Sequence, residues 1–141
     1  LKAIPAIIRY PKGDEPELPE PLKREGEMDI FRYGGNTIHW CLGTSISDAL
    51  SYSKKPDGVI DLRKAKPIDH NTLKKFSKNS SHWFVWEDAQ LIGGVGEALS
   101  SFITENNLDI KVTQMGYPDN FIGHGKTDNL KIENRREINQ T

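Results

Sequence analysis

The 141-residue sequence holds a single cysteine, Cys41, so no internal disulfide can form and no thiolate metal cluster can be built. That fits a reducing compartment, and the cytoplasm is the expected location. An excess of one charge is also lacking, because 19 basic side chains stand against 20 acidic ones. Without a basic excess there is no broad electrostatic footprint for nucleic acid or an anionic membrane surface, and neither partner is expected. No apolar run approaches the roughly 18–20 residues of a membrane span. The four histidines, His39, His70, His82 and His124, show no metal-like spacing such as i, i+4 on a helix. A Gly-x-Ser-x-Gly elbow is missing, and Cys41 lies in a strand-like run rather than at an electropositive helix start. Repeats and low-complexity tracts are absent too. The opening Leu1-Lys2-Ala3-Ile4-Pro5 is neither a secretory signal nor an initiator methionine and reads as a cut from a longer chain.

What is present is enough for one domain with one core. Pro5 to Tyr10 reads as a short buried run closed by Pro11 and Gly13. Residues 14–21 carry four acids and three prolines, which predicts an exposed, stiffened linker. Met28 to Tyr33 and Thr37 to Leu42 flank Gly34-Gly35-Asn36, the pattern of a β-hairpin. Thr44-Ser45 can cap a helix running to about Ser53, with Ile46, Ala49 and Leu50 on one face. Gly58 to Leu62 is a continuous apolar strand, Asp69 can cap a helix carrying Leu73 and Phe76, and His82 to Trp86 is an aromatic-rich strand. The clearest helix follows Gly93-Gly94-Val95-Gly96, where Val95, Ala98, Leu99, Phe102 and Ile103 recur at helical spacing before a left-handed stop at Asn106-Asn107. Ile110 to Met115 is the last strand. One docked turn and a mobile tail over residues 131–141 are expected beyond it.

Strands alternating with single crossover helices imply a parallel arrangement. The predicted fold is α/β: a three-layer α/β/α sandwich on a mixed, mostly parallel sheet of about five strands.

Four features invite a chemical reading. Arg9-Tyr10-Pro11-Lys12-Gly13 presents Arg9 and Lys12 from a rigid corner, a form suited to phosphate and equally to a solvated surface pair. Gly93-Gly94-Val95-Gly96 can cradle an anion at a helix start, or simply permit close packing. Glu87 and Asp88 at a strand end can form an acid/base pair only if the strand bends, because neighbours point to opposite faces. Otherwise one caps the next segment and the other faces an interface. His124 lies in the glycine-bounded loop Phe121-Ile122-Gly123-His124-Gly125, where an imidazole can serve chemistry or a tight turn.

Six segments together resemble the C-terminal domain of the 1-deoxy-D-xylulose-5-phosphate synthases. Arg9-Tyr10-Pro11-Lys12-Gly13 is similar to that family's Arg-Tyr-Pro-Arg-Gly. Arg24-Glu25-Gly26-Glu27 through Gly43-Thr44, with Asp48-Ala49-Leu50, resembles its strand-turn-strand unit ending in Gly-Thr. Lys66-Pro67-Ile68-Asp69 resembles Lys-Pro-Leu-Asp, and Trp86-Glu87-Asp88 with Gly93-Gly94-Val95-Gly96 resembles Val-Glu-Glu leading to Gly-Gly-x-Gly. Residues 116–125, Gly-Tyr-Pro-Asp-Asn-Phe-Ile-Gly-His-Gly, are close to Gly-x-Pro-Asp-x-Phe-Ile-x-His-Gly. The Pro-Asp-x-Phe-Ile-x-His-Gly pattern argues against transketolase itself or a 2-oxoacid dehydrogenase β subunit.

The resemblance implies a homodimeric transferase that uses thiamine diphosphate and Mg²⁺. It joins pyruvate to glyceraldehyde 3-phosphate with loss of CO₂, on the route to isoprenoids, thiamine and pyridoxal. It implies N-terminal domains of the same chain that bind the cofactor, with this part binding none, catalytically silent alone and completing a site wall and an interface. The Gly-Asp-Gly cofactor motif is missing here, since Gly13-Asp14 is followed by Glu15. By the same resemblance Lys12 takes the place of the arginine that contacts the substrate phosphate, with Arg9 second. Lysine keeps the charge but loses the bidentate fork. Glu87, Asp88 and His124 become candidates for the interface or site wall. A stand-alone interaction module remains the rival reading.

Overall fold

The computed structural model describes residues 5–8, 10 and 17–134, together with the backbone of 136–140. Chain order is β1 (Lys23–Glu25), β2 (Met28–Arg32), β3 (Thr37–Cys41), α1 (Ser45–Tyr52), β4 (Gly58–Asp61), α2 (His70–Ser77), β5 (His82–Gln90), α3 (Val95–Glu105), β6 (Lys111–Tyr117), α4 (Thr127–Asn134) and β7 (Arg136–Gln140). The strands form one sheet in the order β1-β2-β4-β3-β5-β6-β7. Its centre, β4-β3-β5-β6, is parallel, while β1, β2 and β7 add antiparallel flanks.

Two apolar layers follow from the alternation of strand residues. On one face Ile38, Trp40, Ile60, Trp83, Val85 and Val112 meet Leu73 of α2 and Val95, Leu99, Phe102 and Ile103 of α3. On the other, Cys41, Val59, Trp86 and Met115 meet Ile46 and Ala49 of α1. Lys131 of α4 pairs with Asp48 of α1 at 3.0 Å. The three-layer mixed α/β/α sandwich predicted above is what forms, with seven strands in place of about five.

Local signals act as read at several points. Asp69 accepts from the backbone N of Asn71 and Thr72, capping α2. Asn107 takes a left-handed φ of 50° after α3. Ala98 alone of the five residues chosen for the buried stripe of α3 is exposed.

Four expectations need correction. β2 and β3 do not form a hairpin, because β4 inserts between them and pairs with both. Gly34 is needed for a close approach rather than a turn, since a Cβ there would collide with the backbone of Gly58 at the start of β4. The hairpin that exists joins β1 to β2 around Gly26, whose φ is +58°. The run predicted to be buried near the N-terminus is exposed where described, with Ile7 at 100% and Tyr10 at 81%. Its described residues, 5–8 and 10, join no strand. Finally, residues 127–134 form α4 and 136–140 pair antiparallel with β6, where a docked turn and a mobile tail were expected. An unpaired edge of β6 offers a ready ladder of N–H and C=O groups, and β7 takes it up.

The linker expected at 14–21 lies partly outside the described residues; positions 17–20 are exposed and without regular structure.

Candidate functional site

In a parallel sheet the chain turns away at the carboxyl ends of the strands, and ligands collect where successive connections leave to opposite faces. Here that point lies between β3 and β5, because α1 follows β3 on one face and α3 follows β5 on the other. Ser45 ties the two strand ends together. Its Oγ accepts from Leu42 N at 3.1 Å and lies 2.9 Å from both Leu42 O and Trp86 O. Sequence reading gave Ser45 only a capping role, since its partner Trp86 is 41 residues away.

Glu87 and Asp88 end the central part of β5 and separate, as strand alternation requires. Glu87 is 2% exposed and turns toward α3. Its Oε2 accepts from Val95 N at 2.9 Å and its Oε1 from Gly96 N at 3.1 Å. The carboxylate therefore occupies the anion position at the positive end of α3. A Cβ on Gly94 would collide with this carboxylate, and one on Gly96 with the side chain of Gln114. Close packing accounts for both glycines. Burial pushes the Glu87 carboxyl above its ordinary value, the two amides pull it down, and Glu97 adds to the rise. Asp88 is half-buried on the opposite side.

The cradle is thus closed to a cofactor diphosphate by the chain's own side chain. Among the described residues no group of three or more His, Cys, Asp or Glu could hold a metal ion. Burial, with Asp61 and Asp48, pushes the Cys41 thiol well above its usual value, which disfavours the thiolate.

Two loops project beyond this strand end. β5 runs on past an irregularity to Gln90, which pairs with Tyr117 of β6. Leu91 N donates to Tyr117 O at 2.9 Å, and Gln90 Nε2 donates to Asp119 Oδ1 at 3.0 Å. The clamped loops present Ile92, 67% exposed, and Phe121, 97% exposed. His124 is exposed in the second loop. Arg9 and Lys12, the predicted phosphate contacts, lie outside the described residues.

A second polar cluster was not foreseen. Asp29, 5% exposed, accepts from Arg24 Nε at 2.8 Å and from Arg63 Nη1 at 2.5 Å. Asp61 stands directly across from it on β4. The Arg24 hydrogen bond leads in holding the Asp29 carboxyl below its ordinary value, whereas burial raises that of Asp61. Arg63 takes a left-handed φ of 58°. Nothing local in the sequence joins positions 24, 29 and 63.

Residues 42–134 match the family described as the C-terminal domain of transketolase. The chain is 33% identical over 131 residues to a 1-deoxy-D-xylulose-5-phosphate synthase of Aliarcobacter butzleri, covering 87% of this chain and 22% of that protein. It is 27% identical over 135 residues to the synthase of the same name from Pseudomonas aeruginosa, covering 92% of this chain and 21% of that one. The chain therefore spans about a fifth of the length of these relatives. Among solved structures, a split-gene transketolase, described as an inactive β4 tetramer, superimposes with a TM-score of 0.72 at 24% identity. The overlap covers 84% of this chain and 41% of the other. No helix is long and apolar enough to cross a membrane among the described residues. By sequence and by fold, the chain belongs to the transketolase C-terminal domain family.

Proposed function

We propose that this chain is the C-terminal domain of a 1-deoxy-D-xylulose-5-phosphate synthase. The whole enzyme condenses pyruvate with glyceraldehyde 3-phosphate with loss of CO₂, feeding isoprenoid, thiamine and pyridoxal synthesis. The observation that carries this reading is the similarity to synthases of that name across 87–92% of the chain. Thiamine diphosphate and Mg²⁺ belong to the N-terminal domains of the same chain, and this domain alone is catalytically silent. The filled cradle at α3 supports that division, because Glu87 already takes the anion position.

The domain's contribution is a cationic corner and an interface. Lys12, with Arg9 as the second candidate, contacts the phosphate of glyceraldehyde 3-phosphate as a point charge. Ile92 and Phe121, with Asp88 and His124 nearby in sequence, face the remaining domains or the second subunit of a cytoplasmic homodimer. The exposure of Ile92 and Phe121 at the carboxyl end of the parallel strands supports that assignment.

The test is Lys12→Ala in the full-length enzyme. The expected result is a raised KM for glyceraldehyde 3-phosphate with pyruvate little affected. Unchanged kinetics for both substrates would sink the phosphate assignment.

A further inference from the structure

Two large apolar side chains stand out from the domain on loops whose roots are fixed. The first loop is the turn over residues 91–94. Leu91 roots it, 5% exposed, with its N–H donating to Tyr117 O at 2.9 Å. Gly94 N closes the turn on Leu91 O at 3.3 Å, and Gly93 supplies the left-handed φ of +73° that a tight reversal requires. Gly116 of β6 makes the seat, because a Cβ there would strike the Leu91 side chain. The second loop leaves β6 at Tyr117. Asn120 N donates to Pro118 O at 2.8 Å, and Asp119 is tied back to Gln90 at 3.0 Å. What these bonds leave outside is Ile92 on one loop and Phe121, almost fully exposed, on the other.

An apolar side chain on a fixed loop loses little freedom on docking, so it suits a pocket in a partner. The size of the surface then selects the partner. Two side chains of this kind remove roughly 300–400 Å² from water. A stable complex between separate chains needs about 800 Å² on each side. A tethered partner needs far less, since a short linker holds it at an effective concentration on the order of millimolar. The relatives offer such a partner, because about four-fifths of their length lies outside the part that matches this chain. Residues 17–20, exposed and without regular structure, lie on the side of β1 from which an upstream domain would be joined.

We infer that Ile92 and Phe121 are a two-point anchor that docks into an apolar pocket on a preceding domain of the same chain, and not on the second subunit. This rests on the reading of the chain as one domain of a longer synthase and names which neighbour that interface meets. The clamp keeps the Asp119 carboxylate between the loops, so the rim of the pocket is neutral or basic.

The test is photo-cross-linking of the full-length enzyme carrying Phe121→p-benzoylphenylalanine. The expected product runs as a single chain on a denaturing gel, and its cross-linked peptides join position 121 to residues upstream of Leu1. A product of doubled mass places the second subunit at Phe121 and overturns the proposal. Absence of any cross-link overturns it as well. The double variant Ile92→Asp, Phe121→Asp gives a second measurement. In the 141-residue chain it should leave the melting temperature unchanged, because neither side chain is part of the core. In the full-length enzyme it should speed proteolysis within residues 14–21 several-fold. A lowered melting temperature of the short chain, or unchanged proteolysis of the long one, counts against the anchor. Condensation of pyruvate with glyceraldehyde 3-phosphate by the unsubstituted full-length enzyme is assayed alongside. Its absence would sink the synthase reading while leaving an intrachain cross-link standing.

Discussion

The carboxylate of Glu87 accepts the backbone N–H of Val95 at 2.9 Å, so the strand β5 caps the helix α3 that follows it. With its second bond, to Gly96 N, this places a charge with good partners in the interior. Glu87→Ala leaves two buried donors without acceptors. It should cost about 2–4 kcal/mol in urea unfolding. Glu87→Gln should also destabilise, since its amide sets N–H against N–H on one side.

Gly94 and Gly35 give a matched pair. Gly94 has an ordinary φ of −81°, so alanine is not strained there by its backbone. The obstacle is the Glu87 carboxylate, which an added Cβ would strike. Gly94→Ala should cost about 1–3 kcal/mol by overpacking. Gly35 has open space around it, and Gly35→Ala should fall within about 0.5 kcal/mol of the parent. Thermal melts of the two variants side by side check the contrast.

Asp69 caps α2 and also accepts from Glu27 N at 3.1 Å, tying the β1–β2 hairpin to the helix start. The Thr72 hydroxyl leads in holding its carboxyl below the ordinary value. Asp69→Ala should cost about 1–2 kcal/mol at neutral pH. The depressed value means that this stabilisation is complete above about 3.9 and is lost as pH falls through the folded-state value. The gap between parent and variant should therefore close in acid. A gap that stays constant on acidification would show that the charge of Asp69 is not what stabilises. Asp29, also depressed, should follow the same sign, and Glu87, raised by burial, the opposite one.

The sequence by itself determined the elements whose signals are local. The stripe Val95, Leu99, Phe102, Ile103 made a helix, Asp69 made a cap, Asn107 made a stop, and the apolar run at Gly58–Asp61 made a strand. These follow from side-chain periodicity and from turn chemistry within a few residues. The three-layer order followed as well, since alternating strands and crossovers leave few alternatives.

Tertiary structure alone decided which strands lie side by side. Backbone ladders carry no residue identity, so nothing in Met28–Arg32 or Thr37–Cys41 says that β4 will come between them. The close approach of Gly34 to Gly58 permits it, although in the sequence Gly34 reads as a turn residue and Gly58 as the start of a strand. The fate of Glu87 was of the same kind. Its position at a strand end was legible, but its two partners come from the far side of a loop, and only the packed fold turned a possible site carboxylate into an internal cap. Ser45 at Trp86, Asp29 with Arg24 and Arg63, and His39 between Trp86 and Asp57 likewise join residues that only the closed sheet brings together. Local sequence sets conformation, whereas polar partners are chosen by burial, which exists only once the chain has folded.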